Sequence, residues 1–392
     1  MSNVHLTNEY KKEKLSFGCV LVGAVFFLVL SQALILRVPE IVTQIFRPII
    51  VLFLSIKMTQ RGQIQFEAGR IAAIAALYCA FDLLLTGINS EEIMRASAVC
   101  LYLLMFWAVC GTPWNRREVQ FIIKACFIGA LACAVAIFLS NDPTDLHVGN
   151  SGDMKLFGTY VNRNKNAYAF TVGTVLGVIY LLYGKNIKKF WITITTIVIA
   201  YALLYSQCRG AFFCAVAGVT IVVFGKLLEV KKRDQGKFIV YSVLFVLFCI
   251  AAYYLLKNSE LSRLIDGDKS GRDGGIKYAW NLYLDCGIFK KIFGNGHVFE
   301  SLHTEGVGAH LVYMKYLLAV GVVGCLLITL VFISSGLRIK GAIPYALFAS
   351  AFLRTFFEGL DYYIYIPLIL SVVIYNYSVT HRKRGGELFE GA

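Results

Sequence analysis

Apolar positions in this chain are gathered into long blocks near residues 16–36, 41–58, 68–87, 93–111, 119–140, 166–184, 189–206, 210–228, 238–256, 310–334, 341–357 and 362–379. Blocks of about 17–25 residues match the length at which an α-helix crosses a hydrocarbon core of roughly 30 Å. A backbone inside that core must satisfy its own hydrogen bonds, so runs of this length are predicted to be helices. The pattern predicts an all-α fold: a polytopic membrane helical bundle of about twelve transmembrane helices, forming a single integral membrane domain over residues 1–392.

Polar positions mark two long gaps, residues 141–165 and 257–309. The second lies between the ninth and tenth spans and is the only soluble segment large enough to build structure of its own. Within it, residues 274–293 carry apolar side chains at helical spacing (Ile276, Ala279, Trp280, Tyr283, Leu284, Ile288, Phe289, Ile292). That spacing predicts an amphipathic helix lying on the membrane surface. The other connections read as tight turns, His297 and His303 as mobile-loop residues, and residues 380–392 as a disordered cytoplasmic tail. The chain shows no internal repeat and no low-complexity tract.

Composition agrees with the pattern. Hydrophobic residues make up 58% of the chain, charged residues 16%, and mean hydropathy is +0.66. Soluble domains carry roughly 25% charge. The net charge of +14 forms no soluble basic patch, which argues against nucleic acid. It alternates with the spans instead: Lys11, Lys12 and Lys14, then Lys57 and Arg61, Arg116 and Arg117, Lys185 to Lys189, Lys231 to Lys237, Arg338 and Lys340, and Arg382 to Arg384. Intervening loops are relatively acidic (Glu91, Glu92, Asp142, Asp145, Glu358, Asp361). The positive-inside rule then predicts a multi-pass inner-membrane protein with an even span count and both termini cytoplasmic. The first apolar run lacks a convincing cleavage site and reads as a retained helix. Most of the eleven cysteines sit inside apolar runs, where Cys behaves as a small hydrophobe, and no Cys-x-x-Cys pair marks a metal site.

Against the charge bias, the topology sends Arg163, Lys165, Arg209, Arg272 and His310 to the outer face. An anionic ligand explains such a set. Arg grips phosphate oxygens in bidentate fashion, and several Arg at a membrane surface can hold a lipid diphosphate as it leaves. A His nearby can accept a proton from an attacking hydroxyl. Blander readings exist for each: a snorkelling boundary residue for Arg209, solvated loop charges for Arg163, Lys165 and Arg272, and a helix-boundary histidine for His310. Asp82 and Lys315 fall inside apolar runs, where charge is costly. Arg354 and Glu358 stand four apart, the spacing of a local ion pair, and Asp361 opens the last span.

These residues also carry a family likeness. His310, Leu311, nine residues and Gly321-Val322-Val323-Gly324 resemble the His-polar-x9-Gly-x-x-Gly pattern of the bacterial O-antigen ligase and O-antigen polymerase superfamily of membrane glycosyltransferases, with Leu311 departing from it. Ser206-Gln207-Cys208-Arg209-Gly210 resembles the family's Ser-x-Ser-Arg-Gly turn, with Cys208 for the second Ser. Gly158 to Ala167 resembles its Gly-x5-Asn-x-x-Ala stretch, and Ser270-Gly271-Arg272 with Trp280 and Phe293-Gly294-Asn295-Gly296 its large-loop pattern.

The likeness implies metal-independent, inverting transfer of a glycan from an undecaprenyl-diphosphate carrier, without a cofactor, to a lipid-linked glycan or a core sugar, in a helical bundle capped by the external loop. It implies Arg209 and Arg272 on the diphosphate and His310 on the acceptor hydroxyl. Arg163, Lys165, Asn166, Lys315, Arg354, Glu358 and Asp361 are further candidates for substrate binding. A flippase or transporter for a lipid-linked sugar is the alternative. The absence of repeats and of any expected break within a span weighs against it.

Overall fold

The computed structural model describes residues 14–31, 48–57, 62–86, 90–139, 153–156, 159–185, 188–206, 208–231, 235–236, 239, 242–243, 272–304, 312–357, 362–381 and 388–389. Nearly all of these residues are helical, as apolar runs of this length require. The helices are α1 (Phe17–Leu30), α2 (Pro48–Lys57), α3 (Glu67–Thr86), α4 (Ser90–Gly111), α5 (Arg116–Leu139), α6 (Arg163–Tyr183), α7 (Lys189–Tyr205), α8 (Arg209–Lys231), α9 (Arg272–Asp285), α10 (Ile288–Phe293), α11 (His297–Thr304), α12 (Val312–Arg338), α13 (Ala342–Arg354) and α14 (Tyr362–Thr380). Among the described residues, α4, α5, α8, α12 and residues 166–183 of α6 are long and apolar enough to cross a membrane, by length and composition. The apolar block near 238–256 falls almost wholly outside the described residues.

One departure from an all-helical chain is a short antiparallel hairpin. β1 (Asp153–Leu156) pairs with β2 (Thr159–Asn162), Leu156 opposite Thr159, and the second strand runs straight into α6. The expected helix over 274–293 is two helices, α9 and α10, because Cys286 and Gly287 interrupt it. The tail is partly packed: Leu388 and Phe389 are buried, Phe389 lies edge-on to Tyr180, and Gln120 Nε2 donates to the Leu388 carbonyl at 2.7 Å.

Small residues set the helix spacing, as expected where close backbone approach replaces the hydrophobic drive. α8 turns Gly210, Ala211, Cys214 and Gly218 inward. A methyl group at Gly218 would stand 2.4 Å from Ser350 Oγ of α13 and 2.7 Å from Val175 of α6. Hydroxyls fasten the same seam: Thr171 Oγ donates to the Ala211 carbonyl (2.9 Å) and Ser350 Oγ to that of Cys214 (3.1 Å). α14 is buried from Tyr365 to Ile374 and holds α4 through Asn376 Nδ2, which donates to the Cys110 carbonyl at 3.0 Å, and through the Tyr102–Tyr365 stack. Large apolar side chains, Leu77, Leu84, Leu139 and Phe190 among them, point outward. In a chain with this many apolar helices that is the surface of a membrane-embedded protein.

One end of the bundle is closed by Glu118. Asn115 and Glu118 form a capping box on α5: Asn115 Oδ1 accepts the Glu118 amide (2.9 Å), and Glu118 Oε2 accepts the Asn115 amide (3.0 Å). Its other oxygen accepts the Ser16 hydroxyl, the Ser16 amide (3.1 Å) and Lys57 Nζ (3.0 Å), joining α1, α2 and α5. Lys57 also lies 4.4 Å from the centre of the Trp114 ring. Glu118→Gln removes one partner of this enclosed pair and is expected to lower stability by about 3 kcal/mol. Thermal unfolding in detergent measures this, and Lys57→Met added to Glu118→Gln should recover much of the loss. An unchanged midpoint for Glu118→Gln would remove the pair from the account.

Candidate functional site

Arg209 stands where the sequence of the α7–α8 turn dictates. Ser206 ends α7, donates its hydroxyl to the Leu203 carbonyl (2.6 Å) and accepts the Cys208 amide (3.4 Å). This tight reversal makes Arg209 the first residue of α8. Gly210 follows because nothing larger fits: a methyl group there would lie 2.7 Å from Phe357 Cβ and 2.8 Å from the Tyr168 hydroxyl. Arg163 likewise opens α6 and Arg272 opens α9, with Lys165 in the first turn of α6. The first turns of α6 and α8 contain no acidic residue. A helix N-terminus already carries partial positive charge, so a cation there adds to the field instead of cancelling it, and the pair favours an anion. The side chains of Arg163, Lys165 and Arg272 lie outside the described residues.

The turn after α13 brings the start of α8 together with the start of α12. Phe357 meets Gly210, and the Thr355 carbonyl accepts the Val312 amide at 3.2 Å. The Thr355 hydroxyl and Tyr313 Oη are 3.1 Å apart. Thus the N-termini of α8 and α12 touch one three-residue turn, and Val312 is two residues past His310. Arg354, immediately before that turn, is 1% exposed, and its guanidinium lies 3.6 Å from the centre of the Tyr168 ring. Asn166, two residues before Tyr168, is buried, and its side-chain amide has no hydrogen-bond partner among the described residues. His310, Leu311, Glu358 and Asp361 lie outside the described residues. The local ion pair between Arg354 and Glu358 therefore has no described geometry, whereas the Arg354–Tyr168 contact does.

Lys315 belongs to a different cluster. Its ammonium lies 3.5 Å from a carboxylate oxygen of Glu300 on α11. The remaining glycine motifs, Phe293–Gly296 and Gly321–Gly324, form a joint beside it. α12 is interrupted at Gly321, whose φ of 64° and ψ of −171° belong to glycine alone. The break frees three carbonyls, and neighbours take them. The Asn295 amide donates to Leu318 (2.9 Å), the Gly296 amide to Ala319 (2.9 Å), and the Tyr78 hydroxyl of α3 to Val320 (3.0 Å). The Tyr78 oxygen thus stands at the break, against the carbonyl that the Gly324 amide would bond in an unbroken helix. The expectation of uninterrupted spans is therefore corrected. Asp82, one turn further along α3, is buried, and its Oδ1 has no hydrogen-bond partner among the described residues.

His297 and His303 are helical, not loop residues: both sit on α11. The Glu92 carboxylate caps that helix, accepting the amides of His297 (2.5 Å) and Val298 (2.7 Å). The His297 imidazole is enclosed. Burial pushes its pKa down to about 4, with the charge of Arg95 acting the same way and that of Glu92 opposing. Among the described residues no group of three or more His, Cys, Asp or Glu is arranged to hold a metal ion. The sequence signalled the Arg209 turn and both glycine motifs. It gave no sign of Glu92, whose partners are 205 and 206 residues away. Compared with protein-family models and with curated proteins, the chain matches none.

Two outcomes follow. Gly321→Ala forces a side chain into a glycine-only conformation, with its Cβ 2.3 Å from the Ile292 carbonyl oxygen. It should raise amide exchange across residues 288–296 by tenfold or more while leaving α14 protected. The second outcome concerns acid. Because the folded pKa of His297 lies below the unfolded value near 6.5, the unfolded state binds the extra proton between about pH 6.5 and 4. Docking of α11 is therefore complete above that window and weakens as pH falls through it. Exchange of α11 amides, corrected for intrinsic rate, should rise on acidification, and His297→Gln should flatten the profile.

Proposed function

We propose that this chain is a twelve-span inner-membrane glycosyltransferase, both termini cytoplasmic, that moves a glycan from an undecaprenyl-diphosphate carrier to a sugar hydroxyl in cell-surface polysaccharide assembly. The observation that carries the reading is the shared turn. Gly210 and Val312, neighbours of Arg209 and His310, both touch residues 355–357. Support also comes from the acid-free, cationic N-termini of α6 and α8. In this reading Arg209, with Arg272, neutralises the departing diphosphate, and His310 takes the proton of the acceptor hydroxyl as the new glycosidic bond forms. Arg354 holds Tyr168 and the turn in place, and Asn166, whose amide has no partner among the described residues, offers it to the substrate. Polymerase and ligase share this chemistry and differ in the acceptor, a lipid-linked glycan or a core sugar.

A second reading, a flippase for the lipid-linked oligosaccharide, gains from the break at Gly321, because interrupted helices are common in transporters. Purified protein given undecaprenyl-diphosphate oligosaccharide separates the two. Chain growth, or transfer to an added core acceptor, is expected of the enzyme; translocation in vesicles without product would favour the flippase. Arg209→Ala and His310→Ala should each lower product formation by at least 100-fold with normal membrane insertion, and EDTA should leave the wild type unchanged. Full activity in both variants would sink the proposed chemistry.

A further inference from the structure

The amphipathic segment of the large loop has two apolar faces, and one of them docks. Ala279 packs with Met314 and Leu318 of α12, and Ile276 and Tyr283 lie against that cluster. The other face, Trp280, Leu284, Ile288, Phe289 and Ile292, is open; Ile288 is 78% exposed and Phe289 57%. Its depth follows from the register of α3 on α12. Arg338 Nη1 donates to the Gln65 carbonyl and lies over the Phe66 ring, marking one end of the pair. Tyr78, which holds the Phe293 and Val320 carbonyls, is twelve residues beyond Phe66, about 18 Å along the helix. Taking that end as one edge of a hydrocarbon core of roughly 30 Å puts the joint of α10 with the bundle short of the opposite edge.

We propose that α9 and α10 form a re-entrant surface, seated within the leaflet entered from the α9 side and solvated there by anionic phospholipid. Its open side chains contact acyl chains. Lys277 and Lys290 are exposed and Lys291 is half-buried. Their long stems let the ammonium groups reach up to headgroup phosphates. Among the described side chains of α9 and α10, Asp285 alone opposes them. This placement differs from a helix resting on the membrane surface, and it holds whether the chain is an enzyme or a flippase.

The test is photochemical capture. The full chain, carrying p-benzoylphenylalanine in place of Phe289 or of Ile288, is reconstituted in vesicles of phosphatidylethanolamine and phosphatidylglycerol and irradiated. Substitution at Leu77, 70% exposed on α3, is the lipid-facing control. Lipid adducts at 288 and 289 comparable to those at 77, enriched in phosphatidylglycerol, are expected. Lys290→Gln with Lys291→Gln should cut that enrichment about threefold. Adducts to polypeptide, or none, at both positions while Leu77 captures lipid would overturn the re-entrant placement. An enrichment untouched by the double substitution would overturn the anionic assignment.

Discussion

Backbone polar groups in an apolar slab have no water to turn to, so every interrupted helix must find its hydrogen-bond partners within the protein. That constraint governs the two places where distant segments of this chain meet. At the α12 break, three released carbonyls are taken by Asn295, Gly296 and Tyr78, which draws the large loop down onto the membrane helices. At the end of α13, the Thr355 carbonyl takes the first amide of α12, which fixes where that helix begins. Both joints require glycine: Gly321 and Gly294 where backbones crowd at the first, Gly210 against the Phe357 and Tyr168 side chains at the second.

The two joints lie on the same helix, nine residues apart between Val312 and Gly321. The intervening piece of α12 is therefore held at both ends, with Lys315 paired to Glu300 between them. A rigid short helix of this kind suits a catalytic role for the residues just before it, because positioning supplies a large share of catalysis. It equally suits a moving element in a transporter if the joint opens. The cationic N-termini of α6 and α8 favour the first use: they form a fixed field that suits an anion, and helix N-termini hold anions without rearrangement.

Much of this was legible in the sequence, for simple reasons. Long apolar blocks ended by basic turns leave little freedom, and the blocks at 166–184, 189–206 and 210–228 correspond closely to α6, α7 and α8. The Ser206–Gly210 segment announced a tight turn, and the structure shows one. What the sequence withheld depends on contacts between distant residues. Glu92 resembles any acidic residue at a span boundary until α11 is seen on its carboxylate. His297 looks like a loop residue until that cap buries it. Glu118 had a local signal, the Asn-x-x-Glu capping box, but nothing local names Ser16 or Lys57. Gly287 divides α9 from α10 where apolar spacing runs on unbroken. Leu388 and Phe389, in a polar tail, gain burial from Tyr180 and Gln120.

The central claim is that Arg209 and His310 open onto one pocket. Nitroxide labels at these two positions, in full-length protein reconstituted in bilayers, measure it directly by pulsed dipolar spectroscopy. The account expects a single short separation, within the reach of a diphosphate-linked sugar. A separation on the order of the bilayer core, about 30 Å, would put the two groups on opposite faces and leave the proposed transfer without a site.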